Sequence, residues 1–171
     1  MRFSARHIRH LKSDQSGAVA VEFGIWVVAF FLAVSVAMDF GMYYLERGKM
    51  NEAVSGAAVA SFTDADNVNF TLLPGYVRNL ADNQAMTVTT SCNGTTGSCT
   101  NLNRSCACIK NDGGYVATTC GNMCTGTDVT AGSTAGYYLS INASQSFSPM
   151  ILPRSLLADS TIQQHATVRL Q

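Results

Sequence analysis

The residue in this chain that most invites a chemical question is Glu22. It lies in Gly17-Ala18-Val19-Ala20-Val21-Glu22-Phe23, ahead of an apolar segment with no charge from Phe23 to Met38. A carboxylate at the mouth of a membrane helix is expensive to desolvate and tends to be functional. The second chemical set is six cysteines, Cys92, Cys99, Cys106, Cys108, Cys120 and Cys124, all within one Gly/Ser/Thr/Asn-rich window. An even count in an exported, loop-rich region reads as a disulfide framework whose connectivity the spacing leaves open. The alternative is zinc held by Cys106-x-Cys108 and Cys120-x3-Cys124, with Cys92 and Cys99 pairing or staying free. Export favours disulfides, and either role is structural.

No catalytic set emerges, and neither a metal nor a cofactor is expected. His7 and His10 lie in the basic N-terminal stretch, and His165 lies on a terminal strand, more often a surface position than a base. Gly113-Gly114 and Gly121 sit among turn residues rather than between a strand and a helix, so they do not form a phosphate loop. The residues carry neither a paired-acid motif nor a nucleophile elbow.

The elements that must position Glu22 and the cysteines follow from charge and periodicity. A chain of 171 residues has room for one domain. Met1–Gly17 holds Arg2, Arg6, Arg9 and Lys12 against Asp14, whereas Ala18–Gln171 holds seven basic and ten acidic residues. The mildly acidic remainder argues against a nucleic-acid surface. The basic N-terminus sets it cytoplasmic, with the body on the far side of the membrane.

The apolar stretch Phe23–Leu45 is long enough to cross a bilayer with some tilt. Asp39 interrupts it near its outer end and reads as an interfacial acid, with a partner helix as the alternative. Ala29, Ala33, Ala37 and Gly41 recur every four residues, a stripe of small side chains on which another helix can pack closely. Met50, Ala53, Val54, Ala57, Ala58 and Ala60 continue an apolar face, giving one helix over 18–61, half membrane span and half spine.

Beyond it, Asp64–Asn69 reads as a turn, and Leu73, Val77, Leu80 and Ala81 as one side of a short helix. Met86, Val88 and Thr90 alternate as a strand, as do Leu139, Ile141 and Ala143, and again Ala166, Val168 and Leu170. Tyr115–Thr118 is a short candidate strand in the Cys-rich insert 91–134. The expected class is α+β: a long N-terminal transmembrane helix extending into a small antiparallel-sheet external domain, 62–171, with a disulfide-rich loop region.

The ordered set of basic leader, Gly17, small residues, Glu22, Phe23 and apolar helix resembles the processing site of type IV pilin-like precursors. It is most similar to the TadE-like proteins of the tight adherence (Flp/Tad) pilus system. The helix that continues past the membrane and the C-terminal pair of strands match that family's general shape. The resemblance implies that a prepilin peptidase cuts between Gly17 and Ala18, removing a 1–17 leader. It also implies that Glu22 of one subunit pairs with the new Ala18 amine of its neighbour, with Phe23 following. The implied partners are that peptidase, other pilin or pseudopilin subunits, Tad assembly proteins and the lipid bilayer. The implied location is the bacterial inner membrane, single-pass, with the C-terminal domain periplasmic or extracellular.

Three functions compete on these residues. One is a minor pilin or pseudopilin, a non-enzymatic part of pilus assembly and surface adhesion. Another is an uncleaved single-span protein with an exported, disulfide-stapled binding domain. The third is a secreted protein cut by signal peptidase near Ala37, for which Glu22 and the long polar leader are a poor fit. The spacing from Gly17 to Glu22 favours the first.

Overall fold

In the computed structural model the described residues are 16–63, 65, 68–96, 105–152 and 161–170. The basic leader up to Gln15, and Cys99, lie outside them. Helix α1 runs unbroken over Ser16–Thr63, about 72 Å at 1.5 Å per residue. Its length has a simple cause, because no proline occurs before Pro74 and the segment is rich in Ala, the strongest helix former.

The helix has two halves of different surroundings. From Gly17 to Met38 no residue is buried, and large apolar side chains such as Phe23 and Trp26 are each 69% exposed. The helix is long and apolar enough to cross a membrane by length and composition. From Asp39 onward one face is packed against the rest of the chain: Asp39, Met50, Ala53, Val54, Ala57, Ala58 and Ser61 are buried, and Tyr43 is half-buried. These recur at three- and four-residue steps, which keeps them on one side. Ala60, expected on that face, is exposed, and Ser61 takes the place, its hydroxyl donating to the Ala57 carbonyl at 2.9 Å.

Helix α2, Leu73–Leu80, starts with Pro74 in its first turn, where no intrahelical N–H is needed. Leu73, Val77 and the following Ala81 are buried. Leu80 instead stands at the edge, 48% exposed, against the bare backbone of Gly56. A Cβ on Gly56 would come within 3.3 Å of Leu80 Cδ1.

A four-stranded antiparallel sheet in the order β2-β1-β5-β6 packs against α1. Its strands are β1 (Thr87–Cys92), β2 (Thr95–Thr96), β5 (Tyr138–Ser146) and β6 (Thr161–Arg169). Alternation puts Val88, Leu139, Ile141, Ala143 and Ile162 inside. With Met50, Val54, Val77 and Met86 they form the core. The β1–β2 turn is Asn93-Gly94, both at positive φ (48° and 80°), the backbone that a two-residue hairpin needs.

The Cys-rich insert, which shows little periodicity in sequence, contains a second antiparallel pair, β3 (Cys106–Ile109) with β4 (Tyr115–Thr118). This hairpin lies over the outer face of the large sheet. The Tyr115 hydroxyl is 2.9 Å from Ser140 Oγ, itself 2.9 Å from Thr167 Oγ1, so the buried Ser140 is satisfied. Tyr115 also closes on Gly94, where an added Cβ would stand 2.8 Å from the ring. The insert is thus a folded cover on the domain.

Candidate functional site

The residues singled out for processing and assembly all lie on the uncovered arm of α1. Gly17 and Ala18 lie in its first turn, and Glu22 is one turn further on, on the same side as Ala18 by its four-residue spacing. Glu22 and Phe23 are exposed, and among the described residues nothing covers either. The α-helical spacing therefore puts the Ala18 backbone and the Glu22 carboxylate on one face, about 6 Å apart along the axis.

Ala29, Ala33, Ala37 and Gly41 are likewise exposed, and a Cβ on Gly41 would meet nothing within 4 Å. Ala37 and Gly41 each lie two residues from Asp39, about 200° around the helix. The small-residue stripe therefore faces away from the chain's own domain at that level.

Asp39 marks where the arm ends. Rather than meeting solvent, headgroups or another helix, it is buried at 1% exposure against the loop that follows β5. Its Oδ1 accepts the Met150 amide at 2.9 Å, and its Oδ2 accepts the Ile151 and Leu152 amides, both at 2.9 Å. Bonds from the Leu152, Met150 and Ile151 amides, in that order of effect, hold the carboxyl below its ordinary range against the opposing effect of burial. The loop is led there down the helix. Gln145 donates to Glu46 Oε2 at 3.2 Å, and the Phe147 ring meets Tyr43 edge-on at 5.4 Å. Glu46, Tyr43 and Asp39 are thus three successive rungs on one helix face. No spacing in the sequence marks this arrangement, because the donors are backbone amides 111 to 113 residues away. The hint available was Asp39 itself, an acid in an apolar segment.

The cysteines form covalent staples. Cys106 pairs with Cys120 and Cys108 with Cys124, with Cα–Cα separations of 4.9 and 5.7 Å. Cys92 is also disulfide-bonded. Cys106 and Cys108 share one face of β3, so both bridges tie that face to the 120–124 segment. Their sulfurs are consumed in these bonds and do not serve as zinc thiolates. Among the described residues no group of three His, Cys, Asp or Glu side chains is placed to hold a metal. The outer sheet face carries a shallow polar groove lined by Thr87, Thr89, Asn142, Gln163 and the exposed His165.

No curated protein and no solved structure matches this chain. The model of the TadE-like protein family does, over residues 17–59. The match begins at Gly17 and takes in the arm, Asp39 and most of the packed half of α1, so the likeness to TadE-like proteins lies in the N-terminal helix.

Proposed function

We propose that the protein is a minor pilin or pseudopilin of a tight adherence pilus system. The observation that carries this reading is that the family match starts at Gly17 and takes in Glu22, Phe23 and the rest of the uncovered arm of α1. In this reading a prepilin peptidase cuts between Gly17 and Ala18 on the cytoplasmic side of the inner membrane. The Ala18–Met38 segment, about 31 Å of helix, then spans the bilayer, and the domain from Asp39 onward stands outside.

Cleavage exposes an Ala18 amine that is cationic near neutral pH. In a bundle of such helices that amine and the Glu22 carboxylate of a neighbouring subunit both lose water, and each is tolerable there only when paired. Glu22 then acts as a register device, because a misaligned subunit leaves one charge unpaired. The stripe Ala29–Ala33–Ala37–Gly41 allows the close helix approach, and the stapled domain rides on the assembly. Prepilin peptidase, neighbouring pilin subunits and Tad assembly proteins are its partners.

The test is deletion of this chain in its own cell. The proposal expects loss of surface pili and of adhesion, both restored by the wild-type chain. Unchanged piliation and adhesion would overturn it in favour of an uncleaved single-span protein with an exported binding domain.

A further inference from the structure

The loop held by Asp39 has a surface unlike that of an ordinary exported turn. Met150 is 80% exposed and its neighbour Ile151 52% exposed. The amides of Met150, Ile151 and Leu152 are all bonded to Asp39, and Pro149 before them has no N–H to satisfy. Four consecutive residues thus present apolar side chains with no free backbone donor. That is the condition under which irregular backbone can approach an apolar phase, where an unpaired N–H is costly.

The position of the loop points to one such phase. It meets α1 at Asp39, the residue at which the uncovered arm ends, while the rungs at Tyr43 and Glu46 lie behind it toward the domain. Around the same level of the helix, Phe40 is 43% and Tyr44 64% exposed. Aromatic side chains at this depth suit a membrane–water boundary.

We propose that the Pro149–Leu152 loop is a membrane-surface foot, seating Met150 and Ile151 among the lipids of the outward-facing leaflet while Asp39 fixes it to the helix. The foot and the helix contact the bilayer together, which sets how far the helix can sink and the angle of the domain above it. The inference rests on the reading that the arm spans a membrane, and it adds a second contact to that span.

The test uses the full chain reconstituted in phosphatidylethanolamine/phosphatidylglycerol vesicles carrying brominated acyl chains. Trp26 is the single native tryptophan, so the wild-type chain reports on the span. Deep bromines should quench it. In a Trp26→Phe background, Met150→Trp and, separately, Ile151→Trp report on the foot. Each is expected to lose about half its emission to shallow bromines and less to deep ones. Leu72→Trp in the same background, 67% exposed near the far end of the domain, should keep its emission. Resistance of each variant to thiol alkylation shows that the disulfides have formed. A quenched Trp26 with unquenched reporters at both loop positions would overturn the foot and leave the span standing. The same result with loop reporters buried only in assembled filaments would assign the loop to a neighbouring subunit and overturn it too. If Trp26 is unquenched as well, both the span and the foot fail.

Discussion

Asp39 and Ile151 lie 112 residues apart in the chain, yet the Ile151 amide donates to the Asp39 carboxylate at 2.9 Å. Together with the Met150 and Leu152 bonds, this fastens the loop after β5 to the helix at the point where the arm leaves the domain. An acid in an apolar segment is thereby converted from a liability into a joint, since its charge meets three donors that would themselves be costly to bury alone. The arm and the domain are joined at that point through more than the helix itself.

Asp39→Ala in the full chain, in detergent, should lower the melting temperature and speed protease cleavage within 147–152, because three amides lose their acceptor. Asp39→Asn should fall between Ala and wild type. The pH dependence has a definite sign. A carboxyl held below its ordinary value of 3.8 contributes stability above that pH and loses it as pH falls through the folded value. The melting difference between wild type and Asp39→Asn should therefore be constant near neutrality and shrink as the pH falls below 3.8. A difference independent of pH down to that range would contradict the assignment.

Glu22→Gln removes a charge from an exposed position on the arm, so the melting temperature of the domain should not change. Trimming at Gly17 should continue, while incorporation into filaments should drop. Mass analysis of the membrane pool against the sheared pilus fraction separates the two effects. Normal incorporation would show that the charge is dispensable.

Ala33→Leu combined with Ala37→Leu tests the stripe. Both positions are exposed in the single chain, so domain stability should stay within about 0.5 kcal/mol of wild type. Added bulk should weaken helix–helix association in the bilayer, read by crosslinking between subunits. Unaltered crosslinking would remove the stripe from the account.

Cys106→Ser with Cys120→Ser opens a bridge between residues 14 apart. The chain-entropy estimate for a loop of that size is a loss of about 3 kcal/mol, seen as a lower midpoint in chemical unfolding. The covering hairpin should loosen first, exposing Tyr115. If pilus number and adhesion are also unchanged, the staples have no part in holding the exported surface.

Much of this fold is visible in the sequence because burial follows simple periods. Leu139, Ile141 and Ala143 alternate with polar neighbours and are buried, and Met50, Val54 and Ala57 recur at helical spacing and are buried. Ala60 broke the pattern because residue type alone does not distinguish a small apolar residue at the edge of a face from one inside it. In the insert, β4 lies at the expected Tyr115–Thr118, but β3 has no such signature: Cys106, Ala107 and Cys108 are all buried, on both faces of the strand, so alternation is lost. Cysteine pairing is likewise a matter of distance in space. The assembly residues are the opposite case. Gly17, Glu22 and Phe23 stand out in the sequence by their order and by their resemblance to a pilin processing site; their roles are a proposal, and the structure adds that Glu22 and Phe23 are exposed. Asp39 was visible as an anomaly, but its partners are amides, which every residue type except proline carries.

The most direct measurement of the central claim is the N-terminal residue of the protein recovered from membranes, by intact mass or N-terminal sequencing. The account predicts a chain that begins at Ala18, and retention of the leader in cells lacking the prepilin peptidase. A chain that begins at Met1 in cells with an active peptidase would contradict it, leaving an uncleaved membrane-anchored domain. A start at Met38 would contradict it more sharply, since the arm, Glu22 and the stripe would then be absent from the working protein.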